Sequence, residues 1–360
     1  MLIEVHTELR YSENLVSVEK NSIIELILFN SILSTYNYFV NILVTGGAGF
    51  IGSHLCERLI SDGHIVTAID NFSTGRASNL ANLADSDNLT LVEGSILDSS
   101  ILNPLVHDAD YVFHLAAAVG VFNIVKNPLD SLLTNIRGTE NVLEAAHETK
   151  TPVFLTSSSE VYGKNISDSL KESDDRILGS PVTLRWSYSE AKAIDESLAY
   201  AYFVEKQLET RIVRFFNTVG PRQLGAYGMV VPRFVKAALA NELITIYGDG
   251  NQTRCFAHVY DVVDAVIAIA FAENTIGKVI NIGNDFEISI NGLAKKIIDE
   301  TGSKSEIVHV PYAEAYGDGF EDMERRVPNI DLINQLVGWK PKRDLSIIIA
   351  DISVEMKKSS

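Results

Sequence analysis

Tyr188 and Lys192 stand four residues apart in the run Tyr188-Ser189-Glu190-Ala191-Lys192, a spacing that stacks two side chains on one face of a helix. An ammonium beside a phenol stabilises the phenolate, and a phenolate near neutral pH is a usable general base. Upstream, Thr156-Ser157-Ser158-Ser159-Glu160 follows the apolar Val153-Phe154-Leu155. Hydroxyls at the carboxyl edge of such a strand could steady the reacting oxygen of a substrate; the competing reading is that they cap a loop. A third group is Gly46-Gly47-Ala48-Gly49-Phe50-Ile51-Gly52. Its glycines allow a tight turn and a close approach of backbone to a pyrophosphate, which the N–H groups of the following helix would bind. Asp70 closes the next apolar run, where its carboxylate would accept both hydroxyls of an adenosine ribose and repel a 2′-phosphate. NAD is therefore favoured over NADP, with Arg76 as the dissenting feature.

These groups need a scaffold that brings strand ends together. Short β-branched runs at 41–45, 65–70, 89–93, 111–115, 153–157 and 210–215 alternate with helical patterns that include 51–62, 129–147 and 189–206. That alternation is the mark of an α/β fold with a doubly wound, Rossmann-type parallel sheet. After Pro221 the regularity loosens, and 244–247 and 279–282 read as further strands. The expected division is a NAD-binding domain over 41–220 and a smaller C-terminal α/β substrate domain over 221–360. Strands near 244–283 would partly return to the first.

Forty-seven acidic against thirty basic residues give a formal net charge of −17, which excludes nucleic acid or an anionic membrane as the main partner. The two cysteines, Cys56 and Cys255, lie far apart without metal-ligand spacing. They imply neither a disulfide framework nor a metal site, but reduced thiols in a cytoplasmic protein. His114 and His258 have no partner at ligand spacing and read as structural. Residues 1–40 differ from the rest. Their apolar stretch at 23–33 is broken by Glu25, Asn30 and Ser31, too short and too polar for a membrane span, and lacks the flanks of a signal peptide. Val40 stands where a start methionine would precede Asn41-Ile42-Leu43-Val44. We read the extension as a start-site artefact, with an amphipathic helix as the alternative.

Taken together the motifs resemble the extended short-chain dehydrogenase/reductase superfamily, in its branch of nucleotide-sugar epimerases, dehydratases and decarboxylases. The resemblance spans about residues 41–345. It runs through the glycine turn, His114-Leu115-Ala116-Ala117, Asn135-x-x-Gly138-Thr139, Ser157 to Gly163 and the Tyr188/Lys192 pair. It continues in Arg214-Phe215-Phe216-Asn217, Gly220-Pro221-Arg222, Val231-Pro232-Arg233-Phe234, and Tyr247-Gly248-Asp249-Gly250 with Thr253-Arg254. It implies a tightly bound NAD held by Gly46, Gly49, Phe50, Ile51, Gly52, Asp70, Ile96, Ala116, Ala117 and Lys192. Ser95 departs from the aspartate usual before Ile96, which puts only the adenine contact in doubt. The resemblance further implies that Tyr188 takes the C4 hydroxyl proton of a UDP-linked sugar while Ser158 steadies the oxygen, giving a transient 4-keto sugar. Asn217 and Arg254 would hold the diphosphate, Val231 would flank the base, and the enzyme would be a homodimer pairing through a helix such as 129–147.

The fate of the keto sugar separates the branches of the family. Glu160 resembles a glutamate of dehydratases and glucuronate decarboxylases, but a dehydratase would want an acid where Ser159 stands. Arg326, in the segment from Tyr316 to Pro328, resembles an arginine set against the reacting end in decarboxylases. Against that, Arg185-Trp186-Ser187-Tyr188, Asn217 to Gln223 and Tyr227-Gly228-Met229-Val230 look most like bacterial UDP-sugar 4-epimerases, where arginines would grip a carboxylate. Arg185, Arg325 and Arg326 could equally serve in ordinary ion pairs. The expectation is a 4-epimerase of UDP-glucose or UDP-glucuronate, with UDP-glucuronate decarboxylation as the alternative. A non-catalytic NAD sensor is a minor third reading, since Ser158, Tyr188 and Lys192 are all present.

Overall fold

The computed structural model describes residues 40–120, 126–225, 229–311, 314, 323 and 325–358. The N-terminal extension, Tyr227-Gly228 and residues 316–322 and 324 of the late motif lie outside the described residues. In chain order the strands are β1 (Asn41–Thr45), β2 (Ile65–Asp70), β3 (Leu89–Glu93), β4 (Tyr111–His114), β5 (Val153–Ser158), β6 (Thr210–Phe215), β7 (Ile244–Tyr247), β8 (Thr253–Cys255), β9 (Val279–Ile282), β10 (Glu287–Ser289) and β11 (Ile307–Val310), besides two-residue bridges. The helices are α1 (Phe50–Ser61), α2 (Ser99–His107), α3 (Pro128–Thr149), α4 (Ser187–Lys206), α5 (Val230–Ala240), α6 (Val259–Ala270), α7 (Ile290–Thr301), α8 (Asp331–Val337) and α9 (Leu345–Lys358).

Among the described residues seven strands form one parallel sheet in the order β9-β6-β5-β4-β1-β2-β3. Helices cover both of its faces, so Ile42 to Thr45 and all of β4 are buried, which is why those strands read as unbroken apolar runs rather than alternations. At the edge, β3 is only half-buried and mixes Thr90 and Glu93 with its apolar residues. The order reverses between β1 and β4, and at that switch point Thr45 pairs with His114. A crevice opens beyond the strand carboxyl ends there, where ligands of such sheets bind.

One apolar cluster, with Leu55, Leu59, Phe113, Val262 and Val266, packs one face of the sheet. A second, with Leu43, Val112, Leu143 and Leu155, packs the other. A third joins Val231, Phe234, Ile246, Leu293 and Ile348 from α5, β7, α7 and α9. Each fully buried large side chain in these clusters contributes roughly 1.5–3 kcal/mol of transfer free energy. The two late strands part company: β9 joins the main sheet beside β6, whereas β7 pairs with β11. Of these two strands β9 alone returns to the main sheet. Helices also begin a residue or two earlier than the apolar periodicity, because Pro128 opens α3 with its φ preset and Ser187 starts α4. Among the described residues no helix is long and apolar enough to cross a membrane.

Candidate active site

The turn after β1 is built by glycines that tolerate no side chain. Gly46 has φ +69°, and a Cβ there would lie 2.8 Å from the Ala116 nitrogen. A Cβ on Gly52 would come within 2.1 Å of the Gly46 carbonyl oxygen. The backbone therefore packs against itself, and α1 starts at Phe50 with no side-chain cap, leaving its first N–H groups for a ligand anion. Asp70, at the end of β2, accepts from the Ala48 N–H at 3.0 Å and the Phe72 N–H at 2.8 Å. Burial pushes its carboxyl up, against those backbone donors. The carboxylate is thus pinned at the mouth of the turn. Such a cradle, ending in an acceptor for ribose hydroxyls, fits a dinucleotide with an unphosphorylated 2′-hydroxyl.

One cavity of about 750 Å³ brings the sequence-derived residues together. Gly46, Gly49, Phe50, Ile51, Gly52, Asp70, Ile96, Ala116 and Ala117 line it, together with Ser158, Ser159, Glu160, Arg185, Tyr188 and Lys192, with Asn217, Val231 and Arg254, and with Arg326 from the late segment. Ser158 ends β5, where its hydroxyl accepts from the Glu160 N–H at 3.2 Å and bonds the Tyr188 phenol. Ser158 thus caps a short 3-10 turn and also faces Tyr188.

Glu160 sits between two guanidinium groups. Arg185 Nη1 donates to Oε2 at 2.6 Å, and Arg326 Nη2 lies 2.8 Å from Oε1. Burial alone would push this carboxyl up, but Arg326 and Arg185 outweigh it and hold the group down at about 2. Arg326 Nη1 also reaches the Ser159 hydroxyl at 3.4 Å. Arg325, by contrast, turns outward to pair with Glu287, so adjacent arginines divide between site and surface.

Lys192 stands one helical turn from Tyr188 on α4. Its ammonium donates to the Thr156 carbonyl and to Asp195 Oδ2, each at 3.1 Å. Tyr188 is pushed well above the usual phenol range by burial and by the charges of Glu160 and Asp195, with the Ser158 hydroxyl as the opposing contact. Burial is the largest of these influences, and Asp195, one turn along α4, adds its negative charge while accepting from Lys192.

Beneath the site, Arg214 of β6 holds Glu196 of α4 through two bonds of 2.9 and 2.7 Å, and Glu196 accepts from Ser157 at 2.5 Å. This lashes α4 to β5 and β6 and so fixes Tyr188 relative to Ser158. Among the other lining residues Asn217 Nδ2 donates to the Cys255 carbonyl at 3.0 Å, and Arg254 Nη1 to that of Thr253 at 2.7 Å. The Arg233 guanidinium lies over the Tyr247 ring, 4.4 Å from its centroid, with both residues on the cavity wall. Arg233 and Tyr247 were quoted only within longer motifs, and sequence reasoning left out Asp195. Asp195 carried a signal, an acidic residue three positions after Lys192 on a helix face otherwise turned inward. Among the described residues no His, Cys, Asp or Glu cluster could hold a metal.

Comparison with known proteins agrees with this geometry. The chain is 43% identical over 300 residues to a UDP-N-acetyl-α-D-glucosaminuronate decarboxylase of Bacillus cytotoxicus, covering 83% of this chain and 92% of that one. It is 37% identical over 302 residues to UDP-glucuronic acid decarboxylase 1 of Xenopus tropicalis, covering 83% and 68%. Among solved structures, the UDP-glucuronic acid 4-epimerase of Bacillus cereus, in complex with UDP-glucuronic acid and NAD, superposes with a TM-score of 0.81 at 29% identity, covering 89% and 100%. The family model described as the NAD dependent epimerase/dehydratase family matches residues 42–283. The chain belongs to that NAD-dependent family of nucleotide-sugar enzymes.

Proposed function

We propose that this protein removes the carboxylate of a UDP-linked hexuronate as CO2, with NAD as its tightly bound cofactor. The observation that carries the reading is Glu160 clamped by Arg185 and Arg326 beside Tyr188 and Ser158. When bound, NAD accepts a hydride from the sugar's C4 carbon and can return it. Tyr188 takes the C4 hydroxyl proton, and the Ser158 hydroxyl steadies the oxygen. With C4 as a ketone the hexuronate is a β-keto acid. The C5–C6 bond can then break toward CO2, its electron pair passing to the C4 oxygen, where the Tyr188 and Ser158 hydroxyls donate. Glu160, kept ionised by its arginines, places a fixed negative charge near the end of the sugar that loses its own. Arg326 limits that repulsion to a level at which the uronate still enters. The curated relatives favour this reading over simple epimerisation, for both the Bacillus cytotoxicus and the Xenopus tropicalis proteins are decarboxylases.

A second reading, 4-epimerisation, is favoured by the Bacillus cereus epimerase structure, and there Arg185 and Arg326 would grip a carboxylate that stays. On either reading Asn217 and Arg254 hold the diphosphate and Val231 flanks the base. Residues 41–220 then serve mainly as the cofactor domain and 221–360 as the substrate domain, in a cytoplasmic homodimer. Exposed Leu129 on α3 and Ile194, Tyr200 and Val204 on α4 supply an apolar face for that pairing. The test is incubation of the chain with NAD and either UDP-N-acetylglucosaminuronate or UDP-glucuronate, with the products read by mass and proton NMR. Loss of CO2 is expected. A product of unchanged mass with inverted C4 would establish the epimerase instead.

A further inference from the structure

Asn281 stands inside β9, whose other residues, Val279, Ile280 and Ile282, are apolar, and it is fully buried. A buried amide costs free energy unless its donors and acceptor are met. Here they are. Asn281 Nδ2 donates to the Leu170 carbonyl at 2.9 Å and to that of Asn329 at 3.4 Å, while Oδ1 accepts from the Tyr162 phenol at 2.8 Å. The two carbonyls can only accept, so the amide has one orientation and Tyr162 must be the donor to it. These partners come from separate segments of the chain. Tyr162 lies two residues after Glu160, on the turn that follows β5, and Asn329 lies three residues after Arg326. One amide thus joins the two stretches that carry the opposite charges of the clamp.

The late segment is fastened through Leu170. The Leu170 N–H donates to the Val327 carbonyl and the Asn329 N–H to the Leu170 carbonyl, each at 2.8 Å, which makes a parallel bridge between Leu170 and Pro328. Val327 directly follows Arg326, so the register of this bridge sets where the guanidinium reaches the cavity wall. The edge of the main sheet supports the bridge. As its outermost strand, β9 also holds the 170–172 segment by the Asn281 N–H, which donates to Glu172 Oε1 at 2.9 Å. Just past β9, a Cβ on Gly283 would lie 2.9 Å from Pro328 Cγ and 2.8 Å from Phe216 Cβ, so the late segment closes onto the strand where no side chain fits. On the other side Tyr162 is fully buried, with the Arg214 guanidinium 4.8 Å from its ring centroid. Stability alone does not call for an amide in β9, because an apolar residue of the same shape is often as favourable. A satisfied polar network instead specifies one arrangement of the parts it joins.

We propose that Asn281 is a positioning residue that fixes the Glu160 turn against the Arg326 segment and so keeps the two charges of the clamp in contact. It acts through Tyr162, Leu170 and Asn329. The consequence for CO2 loss rests on the decarboxylase reading, whereas the positioning itself does not.

The first test reads the clamp and needs no sugar. In protein labelled with carbon-13 at the glutamate carboxyls, the Glu160 NMR signal is assigned by its loss in Glu160→Gln. Burial of that carboxyl is outweighed by Arg326 and then Arg185, which hold it at about 2, so the wild-type signal should keep its ionised position down to about pH 3. Arg326→Leu should raise the midpoint by about one unit or more, tenfold in the ionisation constant. Asn281→Leu keeps the shape of the amide without its hydrogen bonds. It should reproduce at least half of that rise, and should add nothing when combined with Arg326→Leu. A midpoint unmoved in Asn281→Leu, or a rise that adds in full to that of Arg326→Leu, overturns the proposal. Should Asn281→Leu fail to fold, Tyr162→Phe removes the bond to the Glu160 turn alone and should raise the midpoint by about 0.3 unit, twofold in the ionisation constant; an unmoved midpoint there overturns the proposal as well. With UDP-glucuronate and NAD, Asn281→Leu should release CO2 about tenfold or more slowly, as misplaced groups do, while the sugar still reduces bound NAD. Equal loss in both steps overturns the positioning role. A wild type that releases no CO2 refutes the decarboxylase reading, and the titration still decides the role of Asn281.

Discussion

Arg326 Nη2 lies 2.8 Å from Oε1 of Glu160 while Arg185 takes the other oxygen, so one carboxylate is shared by cations from two distant parts of the chain. If this clamp drives loss of CO2, Glu160→Gln should reduce CO2 release by about 10²–10³-fold, the cost typical of removing one preorganised electrostatic group. Reduction of bound NAD by the sugar, which needs only Tyr188 and Ser158, should survive. Absorbance of bound NADH alongside trapped CO2 separates the two steps, and equal loss in both would remove Glu160 from the carboxylate step.

The same carboxylate predicts a pH dependence of stability. Its folded value of about 2 lies below the ordinary 4.5, so its contribution is fully present above about pH 4.5 and is lost as pH falls through 2. The full span is worth about 3 kcal/mol as an upper bound. The difference in urea unfolding free energy between wild type and Glu160→Gln should shrink steadily over that window. A difference that does not change with pH would show that the arginines do not depress this group.

Much of the site was legible because its chemistry is local. The glycine turn, Asp70, Ser158, Tyr188 and Lys192 sit at strand ends or on one helix face, and short spacings fix their relative positions. The clamp was only half legible. Arg325 and Arg326 are adjacent in sequence, and only the packing of the late segment sends one to Glu287 and the other to Glu160. Nor could spacing show that Lys192 has a competitor. Helical periodicity places Lys192 beside both Tyr188 and Asp195, and the choice between them is set by burial and by the Thr156 carbonyl. The return of β9 to the main sheet, but not β7, was equally out of reach, since both strands are short apolar runs that would suit either sheet.

Gly46→Ala should abolish retention of NAD. The substitution puts a side chain at φ +69° and a methyl group 2.8 Å from the Ala116 nitrogen, a strain of about 1–3 kcal/mol at the turn proposed to receive the pyrophosphate. The purified variant should lack bound NAD while keeping wild-type far-ultraviolet circular dichroism. Full NAD occupancy would mean that the dinucleotide is held elsewhere.

Arg254→Leu should act on binding rather than chemistry. Arg254 lines the same cavity as Asn217 and Tyr188, and the proposed charge-assisted bond from it to a diphosphate would be worth about 1.5–3 kcal/mol. That corresponds to a KM for the nucleotide-sugar raised roughly 10–150-fold with kcat little changed. Steady-state kinetics with UDP as a competitive inhibitor should show the same loss in the inhibition constant. A fall in kcat at unchanged KM would instead place Arg254 in the reacting end of the site.

His54 and His114 supply a second acid-sensitive element with the same linkage sign as Glu160, since their folded values too lie below the unfolded ones, but at higher pH. Burial foremost lowers them to about 4 and about 3 from 6.5, so both are neutral in the folded protein at pH 5 while an unfolded chain binds protons at both. Stability is therefore fully present above about pH 6.5 and declines as pH falls toward the folded values, by up to about 1.4 kcal/mol per pH unit for each histidine. His114→Asn, which can still bond Thr45 or Thr139, should flatten the decline between pH 6.5 and 4 by about half. Proton NMR of the ring signals checks the cause directly. A His114 resonance that titrates near 6.5 in the folded protein would remove this explanation.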